Sequence, residues 1–167
     1  MNSTTKRIDA SDNKIIEEAL QMVDEGWTVT FPVRGYSMLP FIIGDVDSVE
    51  LKKPERIAVG HVVLAWVEGC RYVIHRIVDI SGEKVTLMGD GNLGYTEHCL
   101  LTDVKALAAS VVTPDGKVTP LYSPRMMRAA RLWLRLLPVR RWILAVYRRT
   151  WLRLKTRKNK TKKNTNS

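Results

Sequence analysis

The chain has 167 residues, enough for one domain with a buried core and some appendages. Its composition, 45% hydrophobic and 26% charged residues, is that of an ordinary globular protein. The net charge of +10 is unevenly spread: all 17 acidic residues and 12 of the 27 basic ones precede Ser123, and 15 basic residues with no acidic ones follow. The sequence therefore predicts a mildly acidic body with a strongly basic tail, and the high pI says little about the body.

Several classes of protein and site are excluded at this level. Cys70 and Cys99 are isolated, so neither a zinc site nor a redox motif is indicated, and a single disulfide stays open beside two free thiols. Residues 1–13 lack the apolar run of a signal peptide, and no stretch reaches the roughly 18 to 20 apolar residues of a membrane span. We expect a cytoplasmic body that needs no cofactor or metal.

The predicted elements begin with a disordered lead-in over residues 1–10, followed by one helix. Ser11 or Asp12 can cap this helix, which runs to about Glu25, and Gly26 is a plausible stop. The helix presents one apolar stripe, formed by Ile16, Leu20 and Val23.

Short strands fill most of the remaining body. Alternating apolar residues and turn signals predict strands at 27–31, 46–51, 61–67, 72–78, 84–88 and 117–121. Residues 104–112 fit either a strand or a short helix. Without intervening helices, these strands predict a mainly β, antiparallel body over residues 11–122 with one leading helix.

The turn Arg34–Pro40 follows the first strand and holds Ser37 between two residues that interrupt regular structure. Gly35 frees the backbone from Cβ constraint, and Pro40 ends any regular continuation. This geometry suits an exposed nucleophile, although Gly, Ser and Pro are also common in ordinary turns.

The turn is the first of five short motifs that follow one another along the sequence. They are Gly35-Tyr-Ser-Met-x-Pro40, Gly44-Asp45, Gly60-x-Val-Val, Val73-Ile-His75-Arg76-Ile-Val and Gly89-Asp90-Gly-Asn92. Together they resemble the LexA/signal-peptidase superfamily of serine peptidases, over roughly residues 28–100. The resemblance implies a LexA/signal-peptidase-like antiparallel β fold and serine endopeptidase activity.

The resemblance also implies a catalytic set. Ser37 matches the nucleophile, and His75, followed by Arg76, stands where many relatives have a lysine before an arginine. Histidine can act as the base without the desolvation that a lysine requires, since its reference pKa is about 6.5. Asp90 matches the carboxylate near the site in histidine-bearing relatives, so Ser37, His75 and Asp90 form the predicted triad.

Neighbouring residues receive supporting roles. Gly35 stands where signal peptidases place a serine, so the oxyanion hole is expected to use backbone N–H groups, including that of Ser37. Arg76 is expected to anchor a backbone group or a carboxylate. Glu97 is a substitute for a further aspartate of some relatives, so either Asp90 or Glu97 could support His75, although a solvated position is favoured for Glu97. Three further residues flank the proposed site: Tyr36, Met38 and Asn92.

The basic tail divides into a helical segment, 123–155, and a disordered end, 156–167. Pro138 splits the segment into two helical pieces with cationic and apolar faces. Three partners compete: the cytoplasmic leaflet of a membrane, an acidic protein, and nucleic acid, the last being disfavoured. The candidate binding residues are Arg125, Arg128, Arg131, Trp133, Arg135, Trp142, Arg148, Arg149 and Trp151.

Two functions from different classes follow. The first is a serine endopeptidase that cleaves an extended peptide or protein segment, with a cytoplasmic maturation step favoured because no membrane anchor precedes the site. The second is a catalytically inactive module of the same fold that binds a protein partner or a membrane surface.

Overall fold

The computed structural model describes residues 10–147 and residue 149. One helix precedes eight strands, and two helices follow them. The helices are α1 (Ala10–Asp24), α2 (Pro124–Arg135) and α3 (Leu137–Tyr147). The strands are β1 (Val29–Pro32), β2 (Ser48–Lys52), β3 (Val62–Val67), β4 (Arg71–Ser81), β5 (Lys84–Met88), β6 (Glu97–Leu100), β7 (Val104–Val112) and β8 (Val118–Pro120).

All eight strands belong to one antiparallel sheet that forms a half-barrel. Its order is β1-β2-β7-β3-β4-β5-β6, and β8 pairs with β7. The predicted mainly β architecture with one leading helix is confirmed. The ambiguous segment at residues 104–112 is a strand in the middle of the sheet, whereas β6 is a strand that the sequence pattern did not predict.

The central strand β3 separates two apolar clusters because successive side chains point to opposite faces. Val62 and Leu64 join the cluster that α1 covers, while Val63 and Ala65 join the cluster on the other face. With both faces covered, β3 is almost entirely buried and fixes the position of its neighbour β4.

The two C-terminal helices pack on the body. Ser123 caps α2 by accepting a hydrogen bond from the Met126 N–H, and a break at Leu136 precedes α3. A third apolar cluster, formed by Leu39, Ile43, Trp133 and Leu144, joins these helices to the serine turn and to the segment that follows it. None of the helices in the described part of the chain is long and apolar enough to cross a membrane.

Candidate functional site

The turn that carries Ser37 is held against a second turn. Gly35 has a φ of +79°, a backbone conformation that side-chain-bearing residues rarely adopt. A Cβ built on Gly44 would lie 1.6 Å from the Gly35 carbonyl oxygen, so only glycine fits there. The Asp45 N–H donates to the Val33 carbonyl at 2.7 Å and ties the two turns together.

The Gly89–Asn92 loop supports the serine from the other side. Its Gly91 N–H donates to the Ser37 carbonyl at 2.7 Å. Cβ atoms built on Gly89 and Gly91 would each lie 2.5 Å from a carbonyl oxygen, that of Ser37 and that of Tyr36 respectively. The glycines of this motif therefore allow the loop backbone to lie directly against the serine turn.

His75 faces the same place from β4. The point that a Gly89 Cβ would occupy lies 2.5 Å from the Ser37 carbonyl oxygen, 2.9 Å from Asn92 Nδ2 and 3.1 Å from His75 Nε2. The serine turn, the histidine ring and the asparagine amide thus converge on one small volume. His75 is only 5% exposed, so its ring is confined by the surrounding protein.

The other nitrogen of the His75 ring is held by a carboxylate. His75 Nδ1 lies 2.5 Å from Glu97 Oε2, and Glu97 is 2% exposed. The second carboxylate oxygen, Oε1, accepts a hydrogen bond from the Arg71 guanidinium. The carboxylate fixes Nδ1 and leaves Nε2 directed toward the serine turn, the orientation that a histidine base requires.

The sheet register explains why Glu97 reaches His75. Glu97 pairs with Leu87, and Leu87 pairs with Ile77, so the three residues form one row across β6, β5 and β4. Residues two apart on a strand share a face, which places His75 beside Ile77 on the Glu97 side. The expectation of a solvated Glu97 is wrong because β6 turns alternate residues, Glu97 and Cys99, inward.

The electrostatics of Glu97 favour its charged form. Burial alone raises its pKa, but the hydrogen bond and charge of His75 and the charge of Arg71 outweigh this effect. The pKa of Glu97 is therefore lowered, and the carboxylate stays ionised beside the histidine.

Asp90 has a different partner from the one predicted. Both of its carboxylate oxygens accept hydrogen bonds from Arg76, at 2.8 and 2.7 Å, and both residues are buried. Arg76 also donates to the Gly60 carbonyl at 2.7 Å, the anchoring role expected for it. Since adjacent residues of a strand point to opposite faces, Arg76 and His75 take separate carboxylates. The expectation that Asp90 supports His75 is wrong: the carboxylate that contacts the histidine is that of Glu97.

A cleft of about 520 Å³ opens beside these residues. Ser37, His75, Asn92 and Glu97 line it together with the first half of β4. Its other walls are largely apolar and come from α1, from β1 and the residue that follows it, and from β3, among them Ile16, Phe31, Val33 and Leu64. The volume and the few polar groups are typical of a binding site.

The supporting residues differ in exposure. Tyr36 is about half exposed next to Ser37, whereas Met38 is buried in the core beneath the turn. Met38 therefore anchors the turn, and Tyr36 faces the solvent.

The C-terminal helices contact the loop that carries Asp90 and Asn92. Trp133 Nε1 donates to the Asp90 carbonyl at 2.6 Å, and Arg140 donates to the Asn92 carbonyl at 3.0 Å. Trp133 is 7% exposed, so its prediction as a membrane or partner contact is wrong, because it packs edge-on against Phe41 in the body. Trp142 is 63% exposed on α3.

Most of the other candidate binding residues of the tail are exposed to solvent. Exposed side chains are those of Arg125, Arg128, Arg131, Arg135 and Arg149. Arg148 and Trp151 lie outside the described residues.

The cysteines and possible metal-binding groups were also compared with the geometry that such sites require. Cys70 and Cys99 are both free thiols, and burial raises the pKa of Cys99 to about 11. Within residues 10–147 and 149, no group of three or more His, Cys, Asp or Glu side chains is arranged to hold a metal ion. Comparison with known proteins gives no match among family models, curated proteins or solved structures.

Proposed function

We propose that the protein is a serine endopeptidase in which Ser37 is the nucleophile, His75 the general base and Glu97 the residue that orients the base. The observation that carries this proposal is the ring of His75: Nδ1 is held by a buried carboxylate, and Nε2 faces the backbone of Ser37. A serine hydroxyl is inert near neutral pH without such a base.

The reaction proceeds by acyl transfer. Ser37 Oγ attacks the peptide carbonyl carbon while His75 Nε2 takes the hydroxyl proton. The tetrahedral intermediate collapses, the C–N bond breaks, and His75 returns the proton to the leaving amine. A water molecule then hydrolyses the acyl-enzyme by the same route, and Glu97 stabilises the imidazolium in both halves.

Stabilisation of the oxyanion falls to donors around the turn. We assign this role to the backbone N–H of Ser37, helped by the Asn92 side-chain amide, whose nitrogen lies 2.9 Å from the Gly89 Cβ position that is also close to His75 Nε2 and the Ser37 carbonyl oxygen. The hydrogen bond from the Gly91 N–H to the Ser37 carbonyl fixes the position of the turn relative to the loop.

The substrate would bind as an extended strand in the cleft. β5 pairs with β4 only from Arg76 onward, so among the described strands none covers this edge of residues 71–75. β1 lies at the end of the sheet order, and its terminal residues form the opposite wall of the cleft. A peptide between these edges would gain main-chain hydrogen bonds and place apolar side chains against the walls.

The arrangement of elements also supports membership in the LexA/signal-peptidase superfamily. The motifs after β1, on β4 and after β5 meet in space: the Gly91 N–H donates to the Ser37 carbonyl, and His75 Nε2 lies 3.1 Å from the position that a Gly89 Cβ would occupy. The chain departs from the motif pattern because Glu97, and not the expected aspartate, contacts His75. A carboxylate is nevertheless kept beside the histidine.

The test compares the wild type with Ser37→Ala and with Ser81→Ala, which changes an exposed serine at the end of β4. Each is incubated with a peptide library rich in apolar residues, and products are identified by mass spectrometry. Cleavage by the wild type and Ser81→Ala but not by Ser37→Ala supports the proposal. Cleavage by all three contradicts it, and library binding without any cleavage favours the inactive binding module.

A further inference from the structure

The outer surface of α3 carries an unusual apolar stripe. Five side chains of α3 are large, hydrophobic and exposed, and all but Leu137 lie on one side of the helix: Val139, Trp142, Ile143 and Val146. Their spacing of three, one and three residues places them within about 100° of one another around the helix. A surface helix of a globular protein normally keeps this kind of stripe for its core.

The core-facing side of α3 is a different one. Arg140 and Leu144 are buried against the body, and Tyr147 is half-buried. Arg140 donates to the carbonyls of Asn92 and Trp133, at 3.0 and 2.9 Å, which anchors the helix. The exposed stripe is therefore a second apolar face, distinct from the one that packs on the body in the described part of the chain.

The charge of the C-terminal part of the sequence, which includes α2 and α3, is uniformly positive. From Ser123 to the end of the chain there are 15 basic residues and no acidic ones. Arg141 on α3 places its guanidinium 4.8 Å from the centre of the Trp142 ring. On α2, which precedes α3 directly, four arginines are exposed: Arg125, Arg128, Arg131 and Arg135.

We propose that α3 is an interfacial helix that docks the protein on an anionic lipid bilayer through Val139, Trp142, Ile143 and Val146. These side chains enter the boundary between headgroups and acyl chains, where tryptophan is favoured. The surrounding arginines pair with anionic headgroups. On its inner side the helix is attached to the loop that lines the cleft, because Arg140 donates to the Asn92 carbonyl.

Charge complementarity favours this occupant over a second copy of the chain. A symmetric dimer through the stripes would bring two copies of the same positive tail together without any acidic residue from this part of the chain to compensate. An anionic bilayer instead offers both negative charge and an apolar interior, which match the two features of the helix.

The experiment measures partitioning of the full chain onto vesicles of phosphatidylcholine with and without phosphatidylglycerol. The double variant Trp142→Ser/Val146→Ser removes apolar surface and keeps the net charge. The matched control is Trp27→Ser, because Trp27 has the same 63% exposure as Trp142 but lies between α1 and β1. We expect about tenfold or more better partitioning into anionic than neutral vesicles, and a loss of about tenfold or more in the double variant.

The control should stay within about twofold of the wild type. Absence of vesicle binding by the wild type, or equal binding by the double variant, overturns the proposal. A dimer in vesicle-free solution that the double variant dissociates assigns the stripe to a second copy and also overturns it.

A second measurement tests the proposal even if the double variant Trp142→Ser/Val146→Ser fails to fold. Brominated lipid should quench wild-type tryptophan fluorescence, and Trp142→Phe should lose most of this quenching. Equal quenching of both overturns the proposal. Neither measurement depends on peptidase activity, so Ser37→Ala should bind vesicles like the wild type.

Discussion

Two buried acid–base pairs lie on opposite sides of β4 and differ in what they allow. Arg76 holds Asp90 through two hydrogen bonds, and His75 is held by Glu97 through one. Arginine keeps its proton at any pH that a folded protein meets, so the Arg76–Asp90 pair is a fixed structural clamp. Histidine exchanges a proton readily, so in the proposed mechanism the same kind of contact prepares His75 for proton transfer.

These two pairs show that a carboxylate on a loop next to the serine turn need not be the one that contacts the histidine. Asp90 belongs to the loop that touches the Ser37 turn, yet its side chain supports Arg76. Glu97 comes from the next strand along, β6, and reaches the histidine. The predictions below separate the two pairs, beginning with the largest expected effect.

Replacing His75 by alanine removes the base from the proton-transfer pair. We expect kcat/KM for peptide cleavage to fall by roughly 10³-fold or more, because Ser37 loses its proton acceptor. The matched control is His98→Ala, an exposed histidine on β6. Comparable activity in His75→Ala and the control would contradict the assignment of the base.

Replacing Asp90 by alanine breaks the clamp and leaves the buried Arg76 guanidinium without its carboxylate. We expect the free energy of unfolding to fall by about 3–5 kcal/mol, as is typical when one partner of a buried pair is removed. Urea unfolding of this variant and of the exposed control Asp79→Ala measures the difference. A loss no larger than that of the control would show that the pair is not structural.

Replacing Glu97 by glutamine keeps the shape beside His75 but removes the charge that stabilises the imidazolium. We expect kcat to fall by about 10²-fold or more while KM changes little, because Glu97 acts through His75. Glu83→Gln, which alters an exposed turn residue, is the control. Unchanged kcat in Glu97→Gln would leave His75 without the proposed orienting residue.

The lowered pKa of Glu97 also predicts a pH dependence of stability. A carboxylate whose folded pKa lies below its unfolded value stabilises the protein above the unfolded pKa. That contribution is lost as the pH falls through the folded pKa, that is, below the ordinary range for glutamate. Urea unfolding between neutral and acidic pH should show a smaller acid loss for Glu97→Gln than for the wild type, and equal losses would contradict it.

Replacing Arg71 by methionine tests the outer support of the carboxylate and should give the smallest effect. Arg71 is partly exposed, so solvent screens its charge on Glu97. We expect the pKa of Glu97 to rise and kcat to fall by about threefold to tenfold. Activity measured across acidic pH should show the loss setting in at a higher pH than in the wild type, and coincident profiles would show that Arg71 has no such role.

The sequence predicted the polar residues that interrupt the strand pattern more easily than it predicted their partners. Ser37 and His75 stand out because a glycine-flanked turn and a histidine within an apolar strand are visible locally. The sequence pattern favours a solvated Glu97, because a charged residue in a short polar segment is normally exposed. Its inward direction depends on the pairing of β6 with β5, a long-range register that local patterns do not encode.

The tail shows the same limit. Helix periodicity identified two amphipathic helices, but it could not tell which apolar face the body covers. Trp133 and Trp142 look alike in the sequence, and only the packing of α2 against Phe41 and the loop separates them. The covered face forms part of the core, and the uncovered one is the docking surface proposed above.

The most direct measurement is covalent labelling by a serine-reactive fluorophosphonate, with the modified residue located by peptide mass spectrometry. We predict labelling at Ser37 in the wild type, strong loss of labelling in His75→Ala, a slower rate in Glu97→Gln, and retained labelling in the folded fraction of Asp90→Ala. Labelling of Ser37 at the same rate in the wild type and His75→Ala, or no labelling of Ser37 at all, would contradict the proposal that His75 and Glu97 activate this serine.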